Sequence, residues 1–385
     1  MRDSLPEMNR LMLPPANVGE RPRTGPVDCL CLIIAGQARH VGTAAIGCPY
    51  VAGYRMCGMP RILLSGASGL IGPALIPPLE KRGDQVYRLV RREPRNQHEV
   101  RWDPMQPIQP QLVSGFDAVI HLSGETVAGR WTENKKRRIR ESRVISTRNL
   151  ASALAHADKP PQTFLCASAI GYYGNRGDEV LTEDSRSGQG FLAEVSREWE
   201  EATGSAAQAG IRSVNLRIGV VLSRDGGALK QMLLPFRLGL GGRIGNGRQW
   251  FSWIHLDDLV AAVLYILGPV APPFPRSLRE GENIDVVQQS PGTDHRSPGP
   301  APITGPVNLV SPNPVTNSDF TKALAKTLKR PALFPVPAIA LKLLFGEFAN
   351  EGLLSSARVI PQKLTDDGFV FRYADVAAAL QHLLQ

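Results

Sequence analysis

Residues 61–72 read Arg61-Ile62-Leu63-Leu64-Ser65-Gly66-Ala67-Ser68-Gly69-Leu70-Ile71-Gly72: an apolar strand that runs into three evenly spaced glycines and then into a helical pattern. A dinucleotide site needs that layout. Gly66 permits a tight turn off the strand, Gly69 lets the backbone approach a pyrophosphate, and Gly72 lets the new helix pack closely on the sheet. The helix N-terminus then points its free N–H groups at the phosphates. Glycines after a strand also serve ordinary turns, so the reading depends on what surrounds them.

Beyond the run, strand and helix periodicities alternate. Strands are predicted at Arg61–Ser65, Gln85–Val90, Ala118–Leu122, Thr163–Ala167, Ser213–Ile218 and Val307–Val310. Helices are predicted at Leu70–Arg82, Trp131–Ala157, Phe191–Ala209, Asn317–Lys329, Ala338–Phe345 and Tyr373–Leu384. Such alternation implies an α/β fold with a Rossmann-like, doubly wound parallel sheet. Residues 1–58 lack periodicity and read as a disordered leader. Residues 59–267 read as the dinucleotide-binding domain, with 307–329 returning to the sheet. Residues 268–306 carry nine of the 32 prolines and read as a flexible surface insertion. Residues 330–385 read as a small α-rich C-terminal domain on the substrate side of the sheet.

Composition narrows the function classes. A hydrophobic content of 43% and a charged content of 21% describe a globular chain, and no apolar run reaches bilayer-spanning length. The net charge of +9 is dispersed, and its densest cluster, Lys135 to Arg143, falls on an amphipathic helix. A solvated helix face explains that cluster as well as a polyanion site does. The expected partner is a small molecule, not nucleic acid or membrane, and a homodimer is left open. Of five cysteines, only Cys166 lies in the patterned region, which points to a reducing cytoplasm; no zinc-type spacing appears, so no metal is expected.

The second predicted strand ends in Val90-Arg91-Arg92-Glu93. In dinucleotide folds an acid at this tip would bind the free 2′-hydroxyl of NAD, whereas arginine pairs with the 2′-phosphate of NADP. Arg91 and Arg92 therefore favour NADP (NADPH); an exposed basic turn is the alternative. The strand Ala118–Leu122 ends in Ser123-Gly124-Glu125, small residues that leave room for a cofactor ribose. Cys166 to Gly174 places Ser168 at another strand end with Tyr172 and Tyr173 just beyond. A serine hydroxyl there can polarise a carbonyl, and a tyrosine can pass the proton.

With the glycine run, Leu122-Ser123-Gly124-Glu125, Ser168 to Gly174 and Trp253 to Asp258, the chain resembles the extended short-chain dehydrogenase/reductase superfamily. It is most similar to the atypical epimerase-like branch, the "epimerase family" proteins. That closer likeness rests on Arg130-Trp131 with Ser142-Arg143, Leu216 to Leu222, Leu234 to Gly242 and Gly245 to Trp250. It also rests on the stretch from Arg330-Pro331 through Phe345-Gly346-Glu347 to Gly368-Phe369-Val370-Phe371. The resemblance covers residues 59–267 and 307–385. It implies an NAD-dependent epimerase/dehydratase-like domain followed by a C-terminal domain of unknown function. It assigns Gly66, Ser68, Gly69, Leu70, Ile71 and Gly72 to the cofactor phosphates and Arg91 and Arg92 to the 2′-phosphate. Leu122, Ser123, Glu125, Arg143 and Val220 would line the rest of the cofactor. Arg248 and Trp250 would meet substrate, and His255 reads first as a packed, hydrogen-bonded residue.

The implied activity is an NADP-dependent oxidoreductase or epimerase acting on a small polar, sugar-nucleotide-like carbonyl or hydroxyl compound. Ser168, Tyr172 and Tyr173 are its catalytic candidates. One departure matters. Catalytic members carry Tyr-x-x-x-Lys on the helix after the serine strand, and Phe191 to Glu200 holds neither residue. A non-catalytic NADP(H)-binding sensor or scaffold is therefore the competing expectation.

Overall fold

The computed structural model describes residues 59–268 and 302–385, so the expectations for residues 1–58 and most of 268–306 lie outside the described residues. Its strands are β1 (Arg61–Ser65), β2 (Gln85–Val90), β3 (Glu99–Arg101), β4 (Ala118–His121), β5 (Thr163–Ala169), β6 (Val180–Leu181) and β7 (Arg212–Ile218). They continue with β8 (Val220–Leu222), β9 (Trp250–Phe251), β10 (Trp253–His255), β11 (Gly305–Leu309), β12 (Val315–Thr316) and β13 (Arg358–Val359). The helices are α1 (Ile71–Lys81), α2 (Glu133–Ala155), α3 (Phe191–Glu201), α4 (Gly204–Gln208) and α5 (Gly227–Arg237). After them come α6 (Leu256–Leu267), α7 (Asn317–Leu328), α8 (Ala338–Phe345), α9 (Gln362–Asp366) and α10 (Val376–Leu384).

Seven strands form one parallel sheet in the order β11-β7-β5-β4-β1-β2-β3. Its central strands are buried on both faces, which their continuous apolar runs require. Alternation along β1 sends Ile62 and Leu64 to one face, beneath α1 and α6, and Leu63 to the other, beneath α2, α3 and α4. A third cluster joins Leu222, Leu233 and Phe236 to Phe320, Leu324, Leu380 and Leu383, so the helical C-terminal region packs on β8, α5 and α7. Buried Asp258 accepts the backbone N–H groups of Arg372 and Tyr373 (both 2.9 Å) and pins that region to α6.

Caps move several predicted boundaries. Thr132 accepts from Lys135 N, so α2 starts after Trp131. Asp375 caps α10, which starts at Val376, three positions after Tyr373. The single helix predicted over Phe191–Ala209 is two: the Thr203 hydroxyl donates back to Glu200 O (2.7 Å), and Gly204 opens the second piece. Residues 305–306, assigned above to the insertion, begin β11. Helices α5 and α6 and the two- and three-residue strands were not anticipated. Strands this short leave no alternation to read.

Candidate functional site

The C-terminal ends of β1, β4, β5 and β7 share one edge of the sheet, where open α/β folds bind ligands. At the end of β1 the glycines divide their work. Gly66 has φ +74°, and a Cβ there would lie 2.7 Å from the Leu122 carbonyl carbon. A Cβ on Gly72 would lie 2.5 Å from Gly66 O, so the start of α1 presses on the loop it leaves. Gly69 meets nothing closer than 3.4 Å and is exposed, as is Ser68. No side chain caps α1 at Leu70, so the first-turn N–H groups of Ile71 and Gly72 have no side-chain acceptor. The cradle fits a diphosphate. Beneath it runs a polar relay that the sequence did not disclose. Ser65 Oγ lies 2.6 Å from His121 Nδ1, and His121 Nε2 lies 3.3 Å from Ser146 Oγ. Complete burial holds His121 neutral, with its pKa lowered to about 3.

An acid reaches the tip of β2 from the neighbouring strand: parallel pairing sets Glu99 beside Arg88, and its carboxylate takes Arg92 in a two-pronged bond (2.8 and 2.7 Å). Arg92, with the Arg95 backbone N–H, holds the Glu99 carboxyl down at about 2. Arg92 is thus paired with Glu99, which leaves Arg91 as the uncommitted arginine of the two expected at a 2′-phosphate. Arg91 is exposed and has no ion pair among the described residues. It lines a cavity of about 630 Å³ with Arg101, Trp102 and Met105.

Between these ends, Leu122 packs on both faces of the sheet and its N–H meets Ser65 O (3.3 Å). Ser123 is partly buried beside Gly66. The carboxyl of Glu125 is lowered chiefly by its bond to Lys135 (2.6 Å). Arg143 reaches inward from α2 as expected, donating to Glu125 O (2.9 Å) and Ile139 O (3.1 Å), with its guanidinium 5.0 Å from the Trp199 ring. Burial lowers its pKa to about 10, and no carboxylate pairs with it among the described residues. Val220 opens β8 opposite Trp253 and packs on the third core cluster.

The catalytic candidates come apart. Ser168 is buried and donates its hydroxyl proton to Glu200 Oε1 (2.7 Å), so the hydroxyl expected to polarise a carbonyl is engaged within the protein. Tyr173 is engaged as well. It is fully buried, donates to Asn308 Oδ1 (2.7 Å) and accepts from Arg217 (2.9 Å), and burial pushes its pKa up to about 12. Both belong to a network centred on Arg217, whose fork meets both oxygens of Glu200 at 2.8 Å. Burial works against that guanidinium's charge, but the bonds to Glu200 outweigh it and hold the pKa above the usual range. Tyr172 differs. It is half-buried, its ring lies 3.6 Å from the Arg217 guanidinium, and its hydroxyl has no protein partner among the described residues.

On α3, a Cβ at Gly171 would meet Leu192 at 3.2 Å and Ser196 Oγ at 3.8 Å. This i, i+4 pair on α3 lies against Gly171, just beyond the end of β5, and contains neither a tyrosine nor a lysine. Glu351, from the C-terminal region, caps α3 by accepting from Phe191 N (2.9 Å) and Leu192 N (2.8 Å).

On the substrate side, Arg248 is exposed and free of ion pairs among the described residues. Trp250 is engaged: its Nε1 donates to Asp178 (2.8 Å) and the Arg358 guanidinium covers its ring at 4.4 Å. His255 is buried, accepts from Asp257 N (3.0 Å) and stacks on Tyr373 at 4.0 Å, which fits the packed reading. With Asp257 and His382 it gathers ligand-type atoms within 4.8 Å, although its Nδ1 already serves that N–H.

Two family models match the chain. Residues 62–273 match the NAD dependent epimerase/dehydratase family, and residues 336–383 match a domain of unknown function, DUF1731. The chain is 39% identical to Epimerase family protein Mb2239 of Mycobacterium bovis over 83% of its own length and 96% of that protein. It is 33% identical to Epimerase family protein YfhF of Bacillus subtilis over 84% of its length and 98% of that one. Among solved structures it resembles human epimerase family protein SDR39U1 with NADPH, at TM-score 0.68 and 30% identity, over 84% of this chain and 98% of that one.

Proposed function

The chain belongs to the NAD dependent epimerase/dehydratase family, and on that premise we propose that it binds NADPH along the C-terminal edge of the sheet and acts on a small polar substrate. The substrate class is a carbonyl or hydroxyl compound of sugar-nucleotide type. The observation that carries the cofactor reading is the glycine cradle, crowded at Gly66 and Gly72 and open at Gly69. The NADPH in the human relative's structure supports it. Ser68, Leu70 and Ile71 complete the diphosphate site. Arg91 takes the 2′-phosphate, while Leu122, Ser123, Arg143 and Val220 border the remaining length. Glu125 acts through Lys135 and Arg143.

Bound NADPH would supply hydride chemistry at this edge. The residues of the chain hold the reactants and move the proton. Tyr172 is the proposed proton donor, because its hydroxyl is uncommitted and Arg217 places a fixed positive charge against its ring. Arg248 is the proposed anchor for an anionic group on the substrate.

Leu192 and Ser196 at the end of β5 favour a second reading, an NADPH-binding protein without turnover. NADPH oxidation across a panel of carbonyl and nucleotide-sugar substrates separates the two. With turnover, Tyr172→Phe is expected to lower the rate by about 10²-fold or more while NADPH binding persists. A variant as active as the parent removes Tyr172 from the mechanism, and a panel with no turnover leaves the binding reading.

A further inference from the structure

Large apolar side chains stand outside the protein on two segments that touch each other. Leu234 on α5 and Leu238, its C-cap, stand one helical turn apart; on α8, Ile339 and Leu343 have the same spacing, and Leu344 follows. With Leu240, Leu333 and Phe334 they are between 58% and 77% exposed. The segments are joined through Val336, which pairs with Ile244, donates to Arg243 O (2.9 Å) and accepts from Gly245 N (2.9 Å). A Cβ on Gly242 would strike Phe334 O, so the contact is tight. A helix as apolar as α8, with only Leu341 buried, is normally covered.

Charge identifies the cover. Residues 224–247 and 329–344 hold seven lysines and arginines against one acid, Asp225, a net of +6 that leaves +3 for the rest of the chain's +9. All seven cations are exposed, and none forms an ion pair among the described residues. A symmetric pairing of two copies through these segments would bring Lys230 and Arg237, which lie with Leu234 on one side of α5, against cations of the same sign, which Coulomb repulsion opposes. Nucleic acid would satisfy the cations and leave the leucines in water.

We propose that this face docks on an anionic lipid surface, with the leucines of α5 and α8 at the headgroup–acyl boundary and the cations against the headgroups. No helix of the described residues is long and apolar enough to cross a bilayer, so the attachment is interfacial. The proposal is independent of the cofactor reading.

Co-sedimentation of the full chain with vesicles tests it. One set is made of phosphatidylcholine alone and the other of equal parts phosphatidylcholine and phosphatidylglycerol. The protein is expected to sediment with the second set only, and less so in high salt. Lys230→Glu with Arg237→Glu is expected to weaken partitioning by about fivefold or more for each site, since a surface cation contributes about 1 kcal/mol. Leu343→Ser with Leu344→Ser, which expose no new core, is expected to lower it about tenfold at an unchanged melting temperature. If that pair lowers the melting temperature, the charge variants decide the matter. Four results overturn the proposal: no sedimentation with either set, equal sedimentation with both, charge variants that partition like the parent, or a dimer in solution that the leucine variant dissolves.

Discussion

The glycine cradle at the tips of β1 and β4 and the polar cluster at the tips of β5 and β7 lie on one edge of one sheet, yet they treat their polar groups in opposite ways. In the cradle, crowding at Gly66 and Gly72 shapes the backbone, while Gly69 is exposed and the first turn of α1 has no side-chain cap. In the cluster, Ser168, Tyr173, Glu200, Arg217 and Asn308 satisfy one another and are turned inward. The first arrangement leaves N–H groups for a ligand. The second spends its hydroxyls on holding β5, β7, β11 and α3 together. Binding and chemistry can therefore be tested separately on this sheet edge, through the cradle on one side and the inward cluster on the other.

Breaking the inward network is expected to have the largest effect. Glu200→Gln leaves the Arg217 charge buried and uncompensated, at a cost of about 3–5 kcal/mol in urea denaturation. A loss near zero would mean the network contributes nothing. Replacing both partners, Glu200→Leu with Arg217→Met, is expected to cost clearly less than the single change.

Acid probes the relay under the cradle. The folded pKa of His121 lies at about 3, below its ordinary 6.5, so the unfolded chain takes up the proton first. Its contribution to stability is complete above pH 6.5 and is lost as pH falls towards 3, by about 1.4 kcal/mol per pH unit. His121→Asn is expected to flatten that slope in denaturation curves taken across the window; an unchanged slope contradicts the buried neutral assignment.

The glycines sharpen the comparison further. Gly72→Ala is expected to lower both stability and NADPH affinity by about 1–3 kcal/mol, because Gly66 O stands in the way. Gly69→Ala should leave the melting temperature alone and weaken NADPH only. If the two variants behave alike, the division of labour is wrong. The smallest effect belongs to the β2 tip. Arg91→Ala should weaken NADPH by about 1.5 kcal/mol, roughly tenfold, with NADH unaffected, whereas Arg92→Ala should barely change the preference. Equal losses from the two variants would return Arg92 to the cofactor.

The sequence made the backbone end legible and the side-chain end not. The spacing of glycines after an apolar strand reports directly on backbone shape, and the buried parallel strands announce themselves as apolar runs. Glu99 escaped because β3 is only three residues long, and which side chain meets Arg92 depends on a strand pairing that no local pattern encodes. The inward partners of Ser168 and Tyr173 were not readable because a residue type at a strand end does not say which face it takes. A signal was available in Arg217. A cation inside the apolar strand Ser213–Ile218 must find a buried partner, and Glu200 on the preceding helix is that partner. The absence of Tyr-x-x-x-Lys was readable from the residue order of Phe191–Glu200; that Leu192 and Ser196 are the pair packed on Gly171 needed the structure.

The central claim is that the cradle end works as a dinucleotide site although Ser168 and Tyr173 at the other end are turned inward. Titrating the protein into NADPH and NADH while following nicotinamide fluorescence tests it most directly. The account predicts saturable NADPH binding that is at least about tenfold tighter than NADH, with the difference abolished by Arg91→Ala. Equal affinity for the two, or no binding of either, would contradict it.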